Sequence, residues 1–185
     1  FHAMTSIPGG ADDRVLLRKT LGWGSRDELE VVEFSTGSTK KYFMTGRHDE
    51  IAALDGLPSL WARTGLRMAT FRTDAPLGAP MCRFYARDGA AISTHFYSTT
   101  PSDCALLKAQ SWAQDEGVAM RALNVSQVNA SLSPTCANDT TKVVRLFNRT
   151  TINHRYLTDS QLALMTLAPE WTVDGAVYCA AKYEN

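Results

Sequence analysis

No apolar run in the chain approaches the ~20 residues that cross a bilayer, so no membrane span is expected. Charge of one sign is not in surplus either: nineteen basic residues meet nineteen acidic ones, and the net charge is zero. Bulk electrostatic attraction to nucleic acid or to an anionic membrane therefore has no source. Histidine is scarce, with four in 185 residues. No C-x-x-C pair occurs and no histidine stands at metal-finger spacing, which argues against a structural metal site. No cofactor is expected. Catalytic signatures are missing too: there is no H-E-x-x-H, no G-x-S-x-G, no Walker loop and no dinucleotide fingerprint. Ser38-Thr39-Lys40-Lys41 satisfies S-x-x-K, but without S-D-N or K-T-G, and on a turn running into a strand; it is discounted. The chain is therefore read as a non-enzyme.

What is present is ordinary for a globular body. The chain is 44% hydrophobic and 21% charged, enough apolar material to bury a core at this length. Four cysteines, Cys82, Cys104, Cys136 and Cys179, are evenly numbered and widely spaced. They suit two disulfides in an oxidising compartment; four buried thiols in a cytosolic protein are the alternative. Residues 1–4 carry no apolar leader and are expected to precede the native chain. Sequons stand at Asn124, Asn129, Asn138 and Asn148, and they matter only in a eukaryotic host.

One pattern occurs three times. The first copy runs Val32-Glu33-Phe34, Lys41-Tyr42-Phe43-Met44-Thr45, Glu50 to Leu54, then Trp61 to Gly65. The second runs Arg83-Phe84-Tyr85, His95-Phe96-Tyr97-Ser98-Thr99, Asp103 to Leu107, then Trp112 to Gly117. The third runs Arg145-Leu146-Phe147, His154-Arg155-Tyr156-Leu157-Thr158, Leu162 to Met165, then Trp171 to Gly175. Successive tryptophans lie 51 and 59 residues apart, so the unit repeats with variable loops. Short aromatic and β-branched pieces read as strands, and acid-led apolar pieces as helices. Ser102 or Asp103, and Asp159 or Ser160, are the expected N-caps. The expected fold is α+β and mainly β, with three pseudo-repeats of strand-strand-helix-strand packed around a pseudo-threefold axis. The repeats cover about 31–75, 81–125 and 136–181, forming one domain over 31–181. Residues 1–30 are an N-terminal extension or linker, whose Val15-Leu16-Leu17 and Leu21-Gly22-Trp23 pieces pad one side or lead to a preceding domain. Of the three possible cysteine pairings, Cys82–Cys104 and Cys136–Cys179 are favoured, because each ties one repeat.

These blocks resemble a repeat domain of unknown function found in exported bacterial and some fungal proteins. The resemblance covers about residues 31–181. It implies an extracellular accessory domain, of the kind found in the non-catalytic part of larger exported proteins, and it brings no active site. The first copy departs from the pattern, with Lys41 where the others have His95 and His154.

Candidate site residues come from strand alternation. His95 shares a face with Tyr97, and His154 with Tyr156 and Thr158. Lys41, Phe43 and Thr45 form the matching face in the first copy. Such a face is either a wall for a sugar or other polar ligand, or a hydrogen-bonded network joining repeats; the network is favoured. Arg83 and Arg145 could bind an anionic glycan, but ion pairs with Asp103, Glu116 or Asp174 are more usual. The three tryptophans are read as core anchors rather than sugar platforms. The functional expectation is an exported binding module for a glycan, cell-wall or other surface ligand. A structural or protein-interaction domain is the alternative, and a hydrolase the less favoured third.

Overall fold

In the computed structural model, described over residues 27–86, 94–125, 134–137 and 140–181, nine antiparallel strands form one sheet with three short helices. The chain is mainly β. The order strand, strand, helix, strand occurs three times in succession. The first passage is β1 (Glu28–Thr36), β2 (Tyr42–Thr45), α1 (His48–Asp55) and β3 (Trp61–Phe71). The second is β4 (Ala79–Ala86), β5 (His95–Ser98), α2 (Pro101–Lys108) and β6 (Ala113–Ala122). The third is β7 (Thr140–Asn148), β8 (Asn153–Thr158), α3 (Asp159–Ala163) and β9 (Trp171–Ala181). Residues 1–26, the Arg87-Asp88-Gly89 turn, and the sequons at Asn129 and Asn138 lie outside the described residues.

In each passage the first strand is central, flanked by the second and third. The three third strands then meet near their C-terminal ends, through Phe71↔Arg121, Ala69↔Ala181 and Leu123↔Cys179. Three registers feed the main core. Val31 faces Met68, Met81 faces Met120 and Val143 faces Tyr178 across the first and third strands. Met44, Tyr97 and Tyr156 add the matching residue of each second strand, and all nine are buried in one cluster. Burying that many large apolar side chains in one contiguous cluster is the main favourable term.

Each third strand carries a bulge opposite Glu33, Arg83 or Arg145. There Gly65, Gly117 and Gly175 adopt φ of 86°, 77° and 117°, a region open to glycine at little cost. Val144 packs in the cluster that takes Leu162 of α3. The same place in the second passage holds the Cys82–Cys104 disulfide. A second disulfide, Cys136–Cys179, fastens the connection before β7 to β9. Both pairings are the expected ones.

Two local expectations are corrected. The N-caps are Thr100 and Thr158, not Ser102/Asp103 or Asp159/Ser160. Thr158 forms a capping box with Gln161, its Oγ1 accepting from the Gln161 N–H, so the helix is capped one residue before Asp159. The tryptophans do not share one environment. Trp61 packs beside Phe43, Trp171 stands edge-on to Tyr42, and Trp112 is 41% exposed.

Candidate functional site

β2, β5 and β8 converge on one small hollow, lined by Tyr42, His95 and His154 above and by Met44, Tyr97 and Tyr156 below. The space open to the centre of a water molecule is about 10 Å³, so the hollow takes one water at most. His95 and His154 thus come together. Lys41 does not join them. Tyr85 pairs with His95 and Phe147 with His154, and the matching residue Ser35 pairs with Tyr42. Tyr42 therefore holds the histidine register, and Lys41 sits one residue ahead of β2. Lys40 and Ile152, both at φ 49° in their hairpin turns, occupy the same relative position. The first-copy alignment is one residue out.

The residues at the Lys41 register explain why this matters. Thr94 Oγ1 accepts from the His154 backbone N–H at 2.8 Å, and Asn153 Oδ1 accepts from the Tyr42 backbone N–H at 2.9 Å. Each bond joins one passage to another. A lysine head has no acceptor for such a bond.

Tyr97 and Tyr156 are interior residues, 1% and 4% exposed. The Tyr97 hydroxyl donates to the Met44 carbonyl at 2.6 Å, and the Tyr156 hydroxyl accepts from the Tyr97 N–H at 2.9 Å. Burial pushes both phenols above their ordinary range. They knit the second strands together and cannot touch a ligand on the surface.

The charged residues are also spent between passages. Arg83 forks onto Glu50 at 2.6 and 2.8 Å and lies 5.5 Å over the Phe43 ring. Its Nε also stands 2.8 Å from Glu116 Oε2, a charge contact out of hydrogen-bond alignment that leaves both atoms otherwise unbonded. His95 Nε2 lies 3.4 Å from the same oxygen, and its ring is 4.4 Å from Phe43. Burial raises the Glu50 and Glu116 carboxyls, but Arg83 and Thr45 at Glu50, and His95 and Arg83 at Glu116, bring the net below the ordinary value. Arg145 binds Asp174 at 2.9 Å and lies 4.5 Å over Phe96. Of the acids expected to hold Arg83 and Arg145, Glu116 and Asp174 do so. Asp103 instead accepts from the Ser98 hydroxyl at 2.9 Å.

Sequence reading missed one member of this set. Arg155 makes two 2.8 Å bonds to Glu33, with both side chains under 10% exposed, and covers the Tyr42 ring at 4.0 Å. The signal was present: Arg155 stands at the register of Phe43 and Phe96, and Glu33 at that of Arg83 and Arg145. A cation and its partner have exchanged places. His154 contacts Phe96 and Phe147 and its pKa is lowered to about 4, by burial first and by Arg145 second. It is neutral near pH 7. Among the described residues no group of His, Cys, Asp and Glu side chains is arranged to hold a metal ion, and no helix is long and apolar enough to cross a membrane.

The Domain of unknown function (DUF5648) family matches this chain twice, over residues 23–123 and 93–185. The chain belongs to the DUF5648 family. No curated protein and no solved structure matches it. Besides the hollow, this DUF5648 domain carries a groove of about 670 Å³ between its first passage and β6. The helix ends expose apolar side chains in all three passages, at Leu57 and Leu60, at Leu106 and Trp112, and at Leu164. The two disulfides are compatible with an extracellular protein.

Proposed function

We propose that this DUF5648 domain is an exported, non-catalytic binding module, the accessory part of a larger protein, recognising a glycan, cell-wall or other surface ligand. One observation carries the reading: half-buried Tyr42, His95 and His154 line a single hollow, and half-buried Phe96 and Phe147 pack against His154 beside it. Partly exposed aromatic rings beside polar groups are the usual platform for sugar rings. A hollow that takes one water cannot engulf a sugar, so the ligand would lie across the ring of aromatics. Glu33 also lines the hollow, but Arg155 holds both its oxygens, and the hydrolase reading gains nothing from it.

The architecture behind that face is proposed as three units about a pseudo-threefold axis. A cyclic set of contacts supports it. Arg83 of the second unit covers Phe43 of the first, Arg145 of the third covers Phe96 of the second, and Glu33 of the first grips Arg155 of the third. The overlap of the two family matches over residues 93–123 also suits a repeated unit.

The test is binding to a panel of insoluble and soluble polysaccharides, with His95→Ala and Phe147→Ala as variants. Binding weakened at least about tenfold, with the melting temperature held, supports the reading. A blank panel, or variants that bind like the parent, overturns it. The exposed apolar side chains at the helix ends favour a second reading, a protein-interaction domain. It predicts a blank panel together with a partner protein whose capture is abolished by Leu164→Asp.

A further inference from the structure

Around the hollow the second strands are joined by a bond of one kind, made twice and lacking once. Thr94 of the second unit accepts from the His154 N–H of the third, and Asn153 of the third accepts from the Tyr42 N–H of the first. The series would close with an acceptor from the first unit on the His95 N–H of the second. Lys41 holds that place, and an ammonium donates without being able to accept.

The His95 N–H is consequently left over. The Ala86 N–H donates to the Thr94 carbonyl at 3.0 Å, so the ladder bonds between β4 and β5 fall on Thr94, Phe96 and Ser98. The N–H groups of His95 and Tyr97 therefore turn away from β4. Tyr97 finds the Tyr156 hydroxyl there, whereas the His95 N–H has no acceptor among the described residues. The Lys41 ammonium is unmatched as well, with neither an acid nor a carbonyl bonded to it among those residues. The acids of the neighbouring strands and helix are already held: Glu33 by Arg155, Glu50 and Glu116 by Arg83, and Asp174 by Arg145. One join thus carries two spare donors, one of them charged, beside a hollow that His95 itself lines.

An N–H next to an ammonium suits a carboxylate, whose two oxygens can each take a charge-assisted bond. A neutral hydroxyl would meet the N–H and leave the charge unanswered. We propose that this join is a subsite for the carboxylate of an acidic sugar, one oxygen accepting from the His95 N–H and the other from the Lys41 ammonium. The subsite rests on the binding-module reading above and gives it a ligand class, a polysaccharide containing uronic acids. The half-buried rings carry the sugar faces, and the carboxylate fixes where along the polymer the domain sits.

The test is binding of the full chain to polymer pairs that differ in charge: polygalacturonate against its methyl ester, and cellulose oxidised to the carboxylate at its primary hydroxyls against cellulose. The variant Lys41→Asn supplies at this join the residue that Asn153 supplies at another. The parent should bind a carboxylated polymer at least about tenfold tighter than its neutral counterpart, and Lys41→Asn should lose that preference. The same variant should slow amide exchange at His95, followed by NMR, at least about tenfold, because the missing acceptor is restored. Equal binding within each pair, or a preference that Lys41→Asn keeps, overturns the subsite. If Phe147→Ala still weakens that binding, the module reading survives the loss. Binding to none of the four polymers overturns the subsite and counts against the module as well. Exchange at His95 that Lys41→Asn leaves unchanged overturns the spare donor on which the subsite is built.

Discussion

At the scale of single residues, the polar side chains here act on one another. His154 shows the consequence most directly. Its folded pKa is about 4, below its ordinary 6.5, because burial disfavours the imidazolium and Arg145 repels it. The unfolded chain therefore takes up this proton first, and stability falls as pH drops from 6.5 and levels off below 4. The linkage is worth about 3 kcal/mol over that window. Glu50 and Glu116 have folded values below the ordinary one, so their contribution is present above about pH 4.5 and is lost only at lower pH. The urea midpoint of the parent is expected to fall between pH 6.5 and 4, while His154→Gln stays flat until the carboxylates titrate. A His154 ring signal titrating near 6.5 by NMR would contradict this. Nothing in a single histidine's identity announces such a value; it depends on Phe96 of β5 and on Phe147 and Arg145 of β7 meeting at the ring.

At the scale of elements, equivalence of position does not give equivalence of environment. Trp61 and Trp171 each begin a third strand, and Trp112 immediately precedes one. Trp61 packs against the main core and Trp171 against the cluster of Val144, Leu146 and Leu157, whereas Trp112 is left exposed. Trp61→Ala should cost about 3 kcal/mol by lost burial and cavity, and Trp112→Ala less than about 1 kcal/mol. Chemical denaturation of the two variants checks this, and equal losses would restore the idea of three like niches. The succession of strands and helices was legible in the sequence, because each is set by local spacing that repeats. The depth of each tryptophan was not, since it depends on what the adjoining unit offers. The register of Lys41 against Tyr42 was also hidden. A one-residue offset exchanges the two faces of a strand, but Tyr42, Phe43 and Met44 are apolar in succession and hide it, and the pairing of Ser35 with Tyr42 resolves it.

At the scale of the molecule, two disulfides close loops of 22 and 43 residues, each worth about 3 to 4 kcal/mol in chain entropy. They act within the second and third passages. The joins between units rely on side chains, and one join differs from the other two. Two use an arginine over a phenylalanine; the third uses Glu33 with Arg155, buried. Removing one member of a buried pair strands the other, so Glu33→Leu alone should cost about 3 kcal/mol or more. Glu33→Arg alone should cost at least as much, because two guanidinium groups then share one buried place. Combining Glu33→Arg with Arg155→Phe rebuilds this join in the form of its neighbours, an arginine over a phenylalanine, with Thr64 left where Glu116 and Asp174 stand in the other two. If the three joins are equivalent places, the double variant should recover more than half of the loss caused by Glu33→Arg, read from urea midpoints. Additive losses would mean that the resemblance among the joins is one of position only, and that the cyclic arrangement does not govern how the units pack.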